Sequence, residues 1–155
     1  MSTMTEVRLQ RTIAAPAARV YRAWLDPDQL RRWLAPGSMS VKRAEGEERV
    51  GGTYRIWQAD EDGADVGGFA WELLELVPDE RIVFLWRFVG PDRVADHAVD
   101  SRLTVTLRET PAGVTELTLV HDRLDAFAAA MPEVAELVGP GWEMALDKLV
   151  GASEA

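Results

Sequence analysis

Residues 6–13 alternate, with Val7, Leu9, Arg11 and Ile13 set against Glu6, Arg8, Gln10 and Thr12. A period of two predicts a strand with one mostly apolar face. Pro16 then opens a helix, where its missing N–H costs nothing. Val20, Ala23 and Trp24 fall on one face of that helix. Asp26-Pro27-Asp28-Gln29 reads as a second helix start, with Asp26 as the cap and Pro27 in the first turn. Leu30, Trp33 and Leu34 follow at helical spacing, and Pro36-Gly37 ends the element.

The middle of the chain is strand-rich. Strands are predicted over Ser38–Ala44, Thr53–Ala59, Phe69–Val77, Arg81–Val89, Ser101–Glu109 and Val114–His121. Glu45–Gly52 reads as a turn, and Asp60–Gly68 and Gly90–Asp100 read as loops. Pairing Val77 with Ile82 sets Glu72 opposite Arg87 on the outer face. The inner face of that hairpin is then Phe69, Trp71, Leu73, Ile82, Phe84, Trp86 and Phe88. Glu75 also falls there. It is either a carboxyl in a cavity or the mark of a register slip that exposes it. In the last hairpin the loop Pro111-Ala112-Gly113 puts glycine at the left-handed position. Leu107 then faces Leu117, Val105 faces Leu119, and Leu103 faces His121.

Beyond His121 the period becomes helical. Leu124–Met131 reads as a short helix and Glu133–Val138 as a further turn. Pro140–Val150 is the clearest helix, with Trp142, Ala145, Leu146, Leu149 and Val150 on one stripe. An antiparallel sheet needs one face covered, and this helix is the long element available. The fold class is therefore α+β: one curved sheet of about six to seven strands around a C-terminal helix, with two short helices after the first strand.

Composition narrows the function. A length of 155 residues suits a single domain spanning 1–155, with a core over about 7–150. There is no cysteine, so a disulfide framework, a thiolate metal site and a cysteine nucleophile are excluded. Twenty-six acids against 17 bases give a net charge of -9. That balance argues against nucleic acid and against an anionic membrane surface. Two histidines do not make a histidine-rich metal site, and Glu61, Asp62 and Asp65 do not follow the calcium-loop pattern. Neither a metal nor a cofactor is expected. No apolar run is long enough to span a bilayer and the first ten residues form no targeting signal, so the cytoplasm is the expected location.

Several segments together resemble a known family. They are Ile13–Leu34, the Trp33-to-Pro36 turn, Val50-Gly51-Gly52, Glu75–Phe84, Leu117–His121 and Gly141–Leu149. In order and spacing they resemble the helix-grip fold of the START-related (SRPBCC) lipid-transfer and pollen-allergen-like superfamily. Within it they resemble the branch of homologues of the activator of the heat-shock-protein-90 ATPase. The resemblance implies a cavity for a small ligand between the sheet and the last helix. Some relatives are cyclase or aromatase enzymes, and the namesake stimulates a chaperone. The segment Asp125–Pro140 departs from the family pattern.

Three functions stay open on these residues. The first is binding of a small hydrophobic or aromatic ligand. Its walls are Tyr54, Ile56, Phe69, Trp71 and Trp86, completed by Phe88, Leu119 and Trp142, with His121 as polar anchor. The second is a cyclase- or hydrolase-like enzyme with His121 or Glu75 as general acid or base. The third is an interaction module, acting on a chaperone or as a homodimer through Trp57, Leu74 and Leu85 on the outer face. Trp24 is read as core, and His97 as a solvated loop residue.

Overall fold

The computed structural model describes residues 6–89 and 100–154. Seven strands form one antiparallel sheet. They are β1 (Glu6–Ile13), β2 (Ser40–Gly46), β3 (Thr53–Ala59), β4 (Asp65–Val77), β5 (Arg81–Val89), β6 (Asp100–Glu109) and β7 (Thr115–Asp122). Their order across the sheet is β1-β7-β6-β5-β4-β3-β2. Strands β2 to β7 thus run as a meander, and β1 pairs with the last of them. Helices α1 (Ala17–Leu25) and α2 (Pro27–Trp33) fill the connection from β1 to β2, and α3 (Asp125–Ala130) and α4 (Pro132–Glu154) follow β7. This is the α+β arrangement that the patterning predicts and the helix-grip fold that the resemblance implies.

Local chemistry sets several elements. The Asp26 carboxylate accepts the Asp28 N–H at 3.0 Å, and Pro27 occupies the first turn of α2. Gly113 holds φ 78° in the β6–β7 turn. That turn pins the register, and Leu107–Leu117, Val105–Leu119 and Leu103–His121 are partners as expected.

The β4–β5 register differs from the expected one. Trp71 pairs with Trp86 and Glu72 with Leu85, while Arg87 lies opposite Ala70. A bulge between Leu73 and Glu75 then shifts the ladder by one residue, so Leu76, not Val77, meets Ile82. The expected Glu72–Arg87 pair does not form. Arg87 instead reaches Asp100 on β6 at 2.8 Å. The same bulge turns Glu75 to the outer face, where it pairs with Arg81 at 3.2 Å.

Several boundaries also differ, β2 among them, which runs over Ser40–Gly46 and so takes in the start of the expected Glu45–Gly52 turn. Strand β4 begins at Asp65, so Gly67 and Gly68 belong to the ladder and not to a loop. A side chain at Gly68 would place Cβ 2.1 Å from the Ile56 carbonyl oxygen, so only a bare backbone fits. Helix α4 starts at Pro132, eight residues before the expected Pro140, which lies inside it. Pro140 carries no N–H for the Glu136 carbonyl. The helix persists because Ala135, Val138, Trp142, Ala145, Leu146 and Leu149 are buried on one side of it. The turn expected over Glu133–Val138 is its first part. Of the loop expected over Gly90–Asp100, only Asp100 is described, as the first residue of β6. His97 lies outside the described residues.

The core is aromatic at its centre. Trp24 packs edge-on against Trp33 at 4.6 Å and lies 5.9 Å from Trp142, and Trp71 meets Phe84 at 4.4 Å. Two bonds tie α1 and α2 into the structure: Trp33 Nε1–H donates to the Ala23 carbonyl at 3.0 Å, and the Tyr54 hydroxyl donates to that of Leu25 at 2.6 Å. At the far end, the Ala14 N–H donates to Glu154 Oε2 at 2.8 Å and holds α4 against β1.

Candidate functional site

A cavity of about 280 Å³ lies between one end of the sheet and α4. Its sheet wall is Gln58, Gly68, Phe69, Trp86 and Phe88. Gln58, Phe69, Trp86 and Phe88 share one face because Gln58 continues the inward stripe of Tyr54 and Ile56 along β3, and Phe69 pairs with Phe88 across β4 and β5. The helix wall is Val134, Leu137, Val138, Gly141, Trp142 and Ala145, at the three- and four-residue spacing of one helical face. Leu34, Pro36 and Met39, from the α2–β2 connection, close one side.

Of the expected wall residues, Phe69, Trp86, Phe88 and Trp142 line this space. Tyr54, Ile56, Trp71, Leu119 and His121 do not; all five sit in the closed core with 1% or less of their surface exposed. Burial raises the Tyr54 phenol above its ordinary pKa, and its hydroxyl is bonded within the core. The cavity therefore occupies one end of the expected one, and tight aromatic packing fills the rest. Sequence reading missed Gln58, Met39 and the first half of α4. Parity with Tyr54 and Ile56 marks Gln58 as inward. Val134 and Val138 were hidden by placing the helix start at Pro140.

His121 is fully buried behind the wall in a closed chain of hydrogen bonds. Trp142 Nε1–H donates to His121 Nδ1 at 3.0 Å. An indole nitrogen can only donate, so Nδ1 carries no proton and the neutral ring holds its proton on Nε2. Nε2 lies 2.7 Å from Ser101 Oγ, which itself lies 3.4 Å from the Trp86 carbonyl oxygen. Burial lowers the His121 pKa from 6.5 to about 3, with Asp122 opposing weakly. Asp122 is held by Arg102 through two bonds, at 3.0 and 2.6 Å, which lower its own pKa. His121 is thus a neutral, satisfied core residue that fixes two tryptophans of the wall. Glu75 points to the opposite side of the sheet. Neither candidate acid or base reaches the cavity.

No ionisable side chain lines the cavity among the described residues, and Gln58 is the one amide there. Trp24, Trp71 and Trp86 leave their indole N–H groups without a partner, but these atoms are themselves inaccessible. Among the described residues no cluster of His, Cys, Asp or Glu is placed to hold a metal ion. No helix among them is long and apolar enough to cross a membrane. On the outer face Leu74 is 41% exposed, and the Arg43 guanidinium lies 4.9 Å over the ring of Trp57. Chemically, the cavity can take an apolar molecule out of water and offer it one amide.

Among curated proteins none matches the chain. Solved structures do. Protein CV1439 from Chromobacterium violaceum is 34% identical, with 99% of each chain covered and a TM-score of 0.81. An HSP90 activator from Plasmodium falciparum, PFC0360w, is 24% identical over 77% of this chain and 73% of its own, with a TM-score of 0.58. CalU16 from Micromonospora echinospora is 24% identical over 95% of this chain and 74% of its own, with a TM-score of 0.67. The last two show a shared fold. Residues 14–154 match the family described as Activator of Hsp90 ATPase homolog 1-like protein, and the chain belongs to that family.

Proposed function

We propose that this chain binds a small hydrophobic molecule between its sheet and α4. The observation that carries this reading is the composition of the cavity wall: Phe69, Trp86, Phe88 and Trp142 with aliphatic neighbours, and no ionisable side chain among the described residues. Apolar space with few polar groups is what a small-molecule site requires, and its volume is near the low end of the usual range of about 300–1,000 Å³. The His121 relay supports the same reading, because a neutral, saturated histidine holds the aromatic wall in place and has no lone pair left for proton transfer. Native mass spectrometry of protein from its own host tests it. The expected result is a small molecule at one-to-one stoichiometry that is absent from a Gly141→Leu variant. An unliganded protein that also takes up no member of a panel of apolar compounds would refute it.

The family description and the Plasmodium falciparum neighbour favour a second reading, action on a chaperone ATPase. Its surface would be the outer sheet face around Leu74 and Leu85. Arg43 over Trp57 interrupts that patch, so this reading ranks second. Stimulation of the host chaperone's ATP turnover by this chain, lost in Leu74→Glu, would reverse the ranking. Association of two copies would be read from the same native spectra.

A further inference from the structure

Gln58 is the polar end of an otherwise apolar inward stripe, and only 9% of it is exposed. Its Nε2 donates to the Leu34 carbonyl at 2.9 Å. A carbonyl only accepts, so the NH₂ end must face Leu34 and the amide orientation is settled. Oε1 then points away from Leu34. It accepts no hydrogen bond from the described residues, yet it is not sealed from the cavity that Gln58 lines. Among the described residues no cationic side chain stands on the wall to balance an anion, and no anionic one to balance a cation. A charged guest would lose its hydration without compensation.

We propose that Gln58 Oε1 is the specificity-determining acceptor of the cavity, and that the ligand is a neutral, mainly apolar molecule carrying one hydroxyl or N–H donor. This rests on the cavity being a ligand site. The donor end lies against Gln58 Oε1 on β3, and the apolar body lies between Trp86 and Trp142. A ligand with a second donor would bury it unpaired, because the described residues of the wall offer no further side-chain acceptor.

Three probes of similar shape separate the possibilities: 2-naphthol, naphthalene and 2-naphthoate. Binding is followed on the ¹⁵N-labelled protein through the indole resonances of Trp86 and Trp142. The expected order is 2-naphthol tightest, naphthalene about tenfold weaker, and 2-naphthoate weaker still. In Gln58→Leu the naphthol preference should vanish while naphthalene binding is kept. If the leucine variant does not fold, Gln58→Met keeps the chain length and serves the same purpose, and the wild-type order stands as a test in its own right. Equal binding of naphthol and naphthalene by the wild type, or a preference that survives in the variant, overturns the role of Gln58 and leaves the cavity reading intact. No indole shift with any probe overturns both.

Discussion

The indole N–H of Trp142 donates to Nδ1 of His121 across 3.0 Å, joining the wall of the cavity to the C-terminal end of β7. The bond dictates the histidine tautomer, and burial sets its behaviour with pH. In the fold the ring stays neutral down to about pH 3. In the unfolded chain it takes up a proton below about pH 6.5. Between those values the unfolded state binds a proton that the folded state refuses, so stability falls as the pH drops. The contribution is complete above about pH 6.5, and the slope reaches about 1.4 kcal/mol per pH unit. Urea midpoints taken from about pH 7 down to about pH 4.5 should therefore fall more steeply in the wild type than in His121→Gln. Equal slopes would show that another group carries the transition.

Ser101 closes the other side of the relay. Ser101→Ala leaves the buried His121 Nε2–H without its acceptor, at a cost of about 1–3 kcal/mol. Chemical denaturation measures the loss. A change within error would mean that water replaces the hydroxyl.

Gly141 lines the cavity from α4, and a Cβ built on it meets nothing within 4 Å. Replacing an interior helical glycine with alanine should stabilise the chain by about 0.5–1 kcal/mol. Gly141→Leu goes further and projects a side chain into the ligand space. Melting temperature should hold or rise while uptake of an apolar probe is lost. Unchanged uptake would place the ligand elsewhere.

Gly68 behaves in the opposite way. A Cβ there would lie 2.1 Å from the Ile56 carbonyl oxygen, which is backbone and cannot swing aside. Gly68→Ala should cost about 1–3 kcal/mol or more and disturb the β3–β4 ladder beside Gln58. Amide exchange over Ile56–Gln58 should speed up. Protected amides in a stable variant would count against this packing.

What could be read from the chain depended on whether a local marker set the geometry. Gly113 marks the β6–β7 turn, and every pairing there, Leu103 with His121 included, followed from it. The β4–β5 hairpin has no such marker for its bulge. Leu73-Leu74 reads the same with or without a slip, and the burial of Leu76 beside Ile82 decides which face Glu75 takes. Pro140 misled for a related reason. Proline normally marks a helix start, and only the packing of Ala135 and Val138 shows that α4 is already under way. The aromatic face was legible residue by residue. How much of it stays open was not, because that depends on how closely Trp24, Trp71 and Phe84 fit together.

Pro140 has one more effect, on time rather than shape. With no N–H at that position, the hydrogen-bond ladder of α4 is interrupted between Glu136 and Pro140. The turns before it carry Val134, Leu137 and Val138, and the turns after it carry Trp142, which the histidine anchors. The missing bond lowers the cost of opening the turns before Pro140 relative to those after it. Exchange of a guest of the proposed kind would then depend on a few turns of helix and not on the stability of the whole fold.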